Sequence, residues 1–368
     1  MIVRDIHRII EGWAPKEIAW ERDNIGLQVG SMDAKVKGVL ACLDVTEDIL
    51  AEAQRQHSNL VISHHPLLFK PLRSVDLDSA TGRCVDKLLR SKTSLYSAHT
   101  NLDFARWGTS FSLAERLGLT DVDFLLKNYR LEKKIVTFVP PDHVEAVSSA
   151  MGKAGAGTIG NYDFCSFRTQ GTGTFMGNPD SNPTVGQKGN LEKSQETRLE
   201  MVVEHSKLDR VVNALISAHP YEEVAYDVYS LENLSADYGM GIIGQLPEAM
   251  TLSQFINHVK KALPTKGVRY SRGARNRIRR VAACGGSGSD LTEVAIREGA
   301  DAFVTADVKY HGFHDASGRL VLVDAGHYET EHPVINTIVN RLRREFKQCG
   351  VNISVNAAMV SSNPIAYN

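Results

Sequence analysis

The sequence is poor in the features that mark secreted, membrane-spanning and nucleic-acid-binding chains. Its five cysteines (Cys42, Cys84, Cys165, Cys284 and Cys349) are odd in number, scattered, and form no C-x-x-C pair. That argues against a disulfide framework or a zinc–thiolate knuckle. No stretch approaches the ~18 consecutive apolar residues of a membrane span, so no membrane partner is expected. Charge is balanced at 42 basic against 43 acidic side chains, a net of −1. This gives no general pull toward nucleic acid or an anionic surface, and nucleic acid is disfavoured as a partner. The first fifteen residues lack an unbroken apolar segment and carry Asp5 and Glu11. They read as an amphipathic helix with Ile2, Ile6, Ile9, Ile10 and Trp13 on one face, not as a secretory signal. A cytoplasmic location follows as the default. At 368 residues the chain is long enough for a large core and two domains.

What is present is organised around residues 60–75. Leu60-Val61-Ile62 is a short apolar run of the kind that forms a buried strand. Ser63 ends it, His64 and His65 follow, and Pro66 biases His65 to extended backbone. The two imidazoles therefore sit at the C-terminal lip of a strand, where open α/β folds carry their chemistry. Adjacent strand residues face opposite ways, so one ion shared by both histidines requires irregular backbone. Two ions, one per histidine, relax that demand. A chain with 13 histidines in 368 residues carries about 0.5 such pairs by chance, so the pair has weight only through its context.

That context repeats along the chain. Lys37–Leu43 reads as a strand, followed by a helix capped by Thr46 and running through Gln56, so 37–62 forms a βαβ unit. A helix near 81–91 leads to a strand over Ser94–Ser97 and then to His99 and Asp103. Thr109 or Ser110 is expected to cap a helix that stops at Gly118. From about Asn128 the pattern changes. The order strand, helix, strands, helix, strand suits a ferredoxin-like α+β module, with Gly171–Asn190, rich in Gly, Asn, Pro and Thr, expected as a mobile loop. From Gly239 the βα style resumes. Strands at Ile278–Cys284, Asp301–Thr305 and Leu320–Val323 end in the turn GGSGSD, in TADVKYH and in DAGHYETE. A long amphipathic helix follows from about His332, with Pro333 in its first turn. The last strand is Val351–Val355.

Strand ends near 63, 98, 305 and 324 thus each deliver His, Asp or Glu, and such ends can share one rim. His327 and Glu331 are four apart, one helical turn, so both can reach one ion. Imidazoles and carboxylates together suit Zn, Mn, Fe, Co or Ni better than Ca or Mg. His64, His65, Asp103, His327 and Glu331 offer enough donors for two ions. His99 reads as an orienting group for Asp103 or a ligand. Asp307, Lys309 and His311 are placed on the same rim, with His311 a candidate acid or base, although a capping role suits it equally. The GGSGSD turn can cradle phosphate with its N–H groups or can simply be a tight strand–helix turn. The six arginines in 269–280 read as a solvated face.

These segments resemble the Nif-three-like family of dinuclear metal proteins, whose members are also known as type 2 GTP cyclohydrolase I homologues. The matching pieces are DNIGLQVG at 23–30, LDVT at 43–46, SHHPLLF at 63–69, HTNLD at 99–103, GGSGSD at 285–290, TADVKYH at 305–311 and GHYETE at 326–331, with NPIAY at 363–367 as a tail. The resemblance implies a layered α/β metal domain formed by residues 1–127 and 239–368. It also implies an inserted domain, 128–238, similar to the PII and CutA folds. That insert match makes His219, Glu222 and Glu223 structural rather than metal-binding. The resemblance further implies two divalent metal ions per chain, zinc first among the candidates. Their ligands would be His64, His65, Asp103, His327 and Glu331, with Glu331 as bridge and Asp103 as the other candidate bridge. The implied activity is hydrolytic opening of the guanine ring of GTP with release of formate, in a toroidal homohexamer. A small-molecule substrate, with a nucleotide as candidate, is implied by the family name alone. The alternative is a non-catalytic metal-binding protein with a regulatory or sensor role.

Overall fold

The computed structural model describes residues 1–127, 132–263 and 265–366. The expected domain boundary at Asn128 and the last residue of the tail motif, Tyr367, lie outside the described residues. Contacts divide the chain into two units, one of Met1–Asn128 with Ala236–Asn368 and one of Tyr129–Ser235. The architecture is mixed α/β, as expected.

The first unit opens with helix α1 (Val3–Glu11), which buries Val3, Ile6 and Ile10. Strands β1 (Gly26–Val29) and β2 (Gly38–Cys42) follow. Helix α2 (Glu47–Arg55) is capped by the Thr46 hydroxyl, which accepts from Ile49 N. Strand β3 (Leu60–Ser63) lies parallel to β2. Helix α3 (Ala80–Arg90) then returns the chain to β4 (Ser94–Ser97), parallel to β3. The short helix α4 (Thr100–Phe104) starts at His99, and α5 (Thr109–Arg116) starts at Gly108. Neither Thr109 nor Ser110 caps α5. Gly108 holds the cap position because its missing side chain lets the backbone turn against Leu102, whose carbonyl oxygen would stand 1.8 Å from a Cβ. Strand β5 (Thr120–Leu126) ends this half.

In the second unit, β6 (Glu132–Val139), α6 (Val144–Lys153), β7 (Phe167–Met176), β8 (Leu191–Glu204), α7 (Leu208–Ala218) and β9 (Tyr226–Ser230) follow in order. Their sheet runs β7-β8-β6-β9, antiparallel throughout, which is the ferredoxin-like arrangement. Both helices cover one face, around Ile135, Val139, Leu199, Met201, Val203, Val147, Val211 and Leu215. The stretch 171–190 is not a loop as a whole. Residues 171–176 belong to β7, paired residue by residue with β8 from Phe167↔Glu200 to Met176↔Leu191. Its Gly-Thr alternation carries few large apolar groups because β7 is an exposed edge strand, so the strand pattern is weak in sequence.

The first unit resumes with β10 (Met240–Met250), α8 (Leu252–Ala262), β11 (Arg269–Tyr270), β12 (Ile278–Ala283), α9 (Thr292–Arg297), β13 (Ala302–Thr305), α10 (Tyr310–Ala316), β14 (Val321–Asp324), α11 (His327–Glu331), α12 (Pro333–Gln348) and β15 (Ser354–Ala357). Two sheets result, β1-β4-β3-β2-β15 and β11-β14-β13-β12-β10-β5. The first is parallel through β4-β3-β2-β15 and the second through β12-β13-β14, so the C-terminal ends of β3, β4, β12, β13 and β14 are available to carry a site. Strands β2, β3, β4, β13 and β14 are fully buried, as parallel strands covered on both faces must be, while β12 exposes Arg279 and Arg280. Among the described residues, no helix is long and apolar enough to cross a membrane.

Candidate metal centre

His64 and His65 lie just past β3, their amides donating to Cys42 O and Leu43 O. The bend places the ring centroids 5.0 Å apart, and the two imidazoles serve different donor groups. His64 is fully buried and meets Asp103 of α4, with Nε2 3.4 Å from Asp103 Oδ1 and 3.9 Å from Glu331 Oε1. His65 Nε2 lies 2.9 Å from Glu331 Oε2, and His327 Nε2 lies 3.0 Å from the same oxygen. Glu331 therefore belongs to two donor groups, His64–Asp103–Glu331 and His65–His327–Glu331. A third group joins His64, His65 and His99. The structure thus brings together all five residues named from sequence and adds His99.

The fit to a cation rests on atoms that find nothing else. His64 Nε2, Asp103 Oδ1 and Glu331 Oε2 are buried without a hydrogen-bond partner. Buried polar atoms are normally satisfied. His64 Nε2 and Asp103 Oδ1 face each other in one donor group, and Glu331 Oε2 faces His65 and His327 in the other, so both groups could take a cation.

Each imidazole is held by its other nitrogen. His64 Nδ1 donates to Ala98 O at 2.9 Å. His65 Nδ1 donates to Asp44 at 2.7 Å, His99 Nδ1 to Asp23 at 2.9 Å, and His327 Nδ1 to Asp307 at 2.6 Å. With Nδ1 protonated in all four, Nε2 keeps its lone pair for an ion, the arrangement that fixes tautomer and ring orientation in metal sites. His99 thus bonds to Asp23 rather than orienting Asp103. Asp23 is itself fixed by Thr100 N and Oγ1. Asp307 also accepts from Ser287 Oγ, and its backbone is in the left-handed region at φ 54°. The carboxylates Asp23, Asp44 and Asp307 were missed as partners in the sequence. Their one signal is position, since Asp23, Asp44 and Asp307 all fall in motif segments next to strand ends.

Protonation reports the same surplus of negative charge. Burial acts against the charged form of His65, but Asp44 and Glu331 outweigh it and raise its pKa to about 10. His327 follows the same logic through Glu331 and Asp307, reaching about 9. Burial pushes Glu331 up, yet the facing imidazoles of His327, His64 and His65 hold it well below the usual carboxylate range. Asp103 is raised, chiefly by burial. Without an ion, protons take the place of positive charge.

The glycine-rich turn is used for shape. A Cβ on Gly286, whose φ is +62°, would stand 2.1 Å from Glu331 Oε1. Its amide donates to Thr330 Oγ1, and that of Gly288 to Thr305 Oγ1. The turn makes room for the carboxylate, and these two amides are already engaged. His311 is exposed on α10, beside the ring of Tyr310, and Lys309 is exposed as well; neither is among the converging donors. In the arginine run, Arg269 pairs with Asp324 and Arg275 with Asp301. His219 uses both ring nitrogens inside the protein, Nε2 donating to Phe138 O and Nδ1 accepting from Tyr221 N.

Fold and donors together define a layered α/β protein with a histidine–carboxylate centre able to hold metal. The model of the Duf34/NIF3 (NGG1p interacting factor 3) family matches residues 1–364, and the chain belongs to this family. A GTP cyclohydrolase 1 type 2 homolog of Halalkalibacterium halodurans is 39% identical over 98% of this chain and 97% of its own length. One of the same name from Bacillus subtilis is 39% identical over 99% and 98%. The solved structure of a Bacillus cereus protein related to NIF3 is 39% identical, with a TM-score of 0.89 over 100% of this chain and 99% of that one.

Proposed function

We propose that this chain is a dinuclear metal-dependent hydrolase, with His64, His65, Asp103, His327 and Glu331 as ligands and His99 as a further donor. The observation that carries this reading is Glu331, whose two carboxylate oxygens face two different donor groups. A carboxylate so placed can bridge two cations and offset their repulsion. Zinc is the first candidate metal, with Fe, Mn, Co and Ni compatible with the same donors. Two bound divalent ions would supply an activated water at neutral pH and polarise the group it attacks. The protein's own part is to hold four imidazoles in one tautomer through Ala98 O, Asp44, Asp23 and Asp307, and to keep Glu331 ionised. The relatives' name supports GTP as the first substrate to test, with guanine ring opening and formate release as the reaction. By family resemblance we also infer a cytoplasmic homohexamer, and an insert over residues 128–238 that folds as a domain of its own.

The test is elemental analysis of metal-reconstituted wild-type and Glu331→Gln protein, with formate release from GTP and a screen of nucleotides and phosphoesters. Two ions per wild-type chain, at least one lost in Glu331→Gln, and metal-dependent turnover are expected. One ion or none in the wild type would overturn the dinuclear reading. Two ions with no turnover of any substrate would leave a metal-binding protein that is not a hydrolase.

A further inference from the structure

The second unit holds a cavity of about 580 Å³, within the ~300–1,000 Å³ range of small-molecule sites. It lies over the sheet face that the helices leave uncovered. Residues directly opposite on paired strands share a face. Thr169 and Phe138 both pair with Arg198, and Gly171 pairs with Glu196, so these five line one side. The helices pack on the other side, against Leu199, Met201 and Val203. The 177–190 connection folds back over the open face. It is tied down by Asn182 N donating to Glu222 at 2.5 Å and by Thr184 Oγ1 donating to Pro220 O at 3.2 Å.

Two glycines shape the floor. A Cβ on Gly171 would meet nothing within 4 Å, while one on Gly173 would stand 2.3 Å from Glu196 Oε2. The first leaves open space and the second admits a carboxylate. Glycine within a strand marks this kind of close approach. The walls are aromatic: Phe138, Phe175 and Tyr221. Tyr221 is set rigidly, its OH donating to Glu196 Oε1 at 3.0 Å and its amide to His219 Nδ1 at 3.1 Å. The HPYEE segment at 219–223 thereby gains a role that the metal centre does not give it.

From this lining we infer that the cavity binds a planar, N–H-bearing heterocycle of purine or pteridine size that carries no anionic group. Phe175 and Tyr221 offer ring faces for stacking, while Phe138 already carries the Arg198 guanidinium over its ring. Glu196 accepts hydrogen bonds, as ring N–H and exocyclic amino groups require. Charge excludes phosphates, since Glu196, Glu222 and Glu223 face a single cation, Arg198, which is paired with Glu200 at 2.8 Å. The site is independent of the metal reading.

The test is equilibrium dialysis of the full chain against guanosine, adenosine and pterin, with GTP as the anionic control. Wild type and Glu331→Gln should bind at least one of the neutral probes equally well. Gly171→Leu fills the open floor and should weaken that binding at least tenfold while the thermal melt stays cooperative. Glu196→Gln keeps the size but loses the charge, and it should weaken binding similarly, serving as the arbiter if Gly171→Leu does not fold. Failure of all three neutral probes to bind, undiminished binding in a folded Gly171→Leu or in Glu196→Gln, or GTP binding tighter than guanosine in Glu331→Gln would overturn the inference.

Discussion

His64 Nε2 lies 3.4 Å from Asp103 Oδ1, and both buried atoms lack a hydrogen-bond partner. An unsatisfied buried polar group costs about 1–3 kcal/mol. The centre therefore carries a local destabilisation that a bound ion would remove. Divalent metal should raise the melting temperature, and a chelator should reverse the effect. A ligand at 100 times its Kd adds about 2.7 kcal/mol per site. Calorimetric melts with zinc, manganese and chelator check this, and identical melts in all three would contradict a metal centre.

The pH dependence has a definite sign. In the metal-free protein His65 and His327 titrate at about 10 and about 9, above the ordinary 6.5. Their protons stabilise the metal-free fold fully below pH 6.5, and that contribution fades as pH rises through 9 and 10. Ligation needs both Nε2 lone pairs, so binding at pH 7 expels protons. Metal affinity should rise with pH between 6 and 9, with release of up to about two protons from this pair. Titration calorimetry in buffers of different ionisation enthalpy measures the release. Affinity independent of pH would contradict the assignment of these two histidines as ligands.

Gly286→Ala tests the shape of the turn. The new Cβ would meet Glu331 Oε1 at 2.1 Å, and the residue has φ +62°. Left-handed backbone alone costs a non-glycine residue about 1–2 kcal/mol, and the carboxylate must also move. Stability should fall by at least this amount, and metal affinity should fall with it. Gly299→Ala, with a similar φ of +73° but no atom within 4 Å, should lose stability alone. Unchanged metal affinity in a folded Gly286→Ala protein would show that Glu331 does not need the space.

Removing residues 129–235 and joining the flanks with a short linker should leave a cooperatively melting protein that still binds metal. The donors all lie in the unit formed by Met1–Asn128 and Ala236–Asn368. Loss of both the melting transition and metal binding in the deletion would show that the second unit is needed for the first to fold.

The five candidate donors were legible because each sits at a strand end or at a helical spacing, and these are local signals. Their partners were not. His65 and Asp44 are 21 residues apart, His327 and Asp307 20, and His99 and Asp23 76. Only the fold can pair such residues. Strand β7 was hidden for a different reason: an edge strand with one face over a cavity needs little apolar alternation. Strand β10 was hidden by Gly241, Gly244 and Pro247, of which Pro247 falls where the pairing with β12 shifts register between Gln245 and Met250.

The C-terminal tail is bonded to both α2 and Asp44. Met359 N and Val360 N donate to the two carboxylate oxygens of Glu52, at 2.9 Å and 3.0 Å, anchoring the tail to α2. Ser362 Oγ then donates to Asp44 Oδ2 at 2.7 Å, while Asp44 Oδ1 accepts from His65 Nδ1 at 2.7 Å. The hydroxyl thus holds the carboxylate that holds a candidate ligand. Ser362→Ala removes one hydrogen bond, worth about 0.5–1.5 kcal/mol, and leaves the anchor at Glu52 intact. Global stability should change little. Metal affinity should fall toward the lower end of the ~10–100-fold range seen when outer partners of a metal site are lost, with Asp44→Ala falling further and Ser362→Thr close to wild type. Competition with a chromophoric chelator reads all three. Wild-type affinity in both Ser362→Ala and Asp44→Ala would show that His65 is oriented without them.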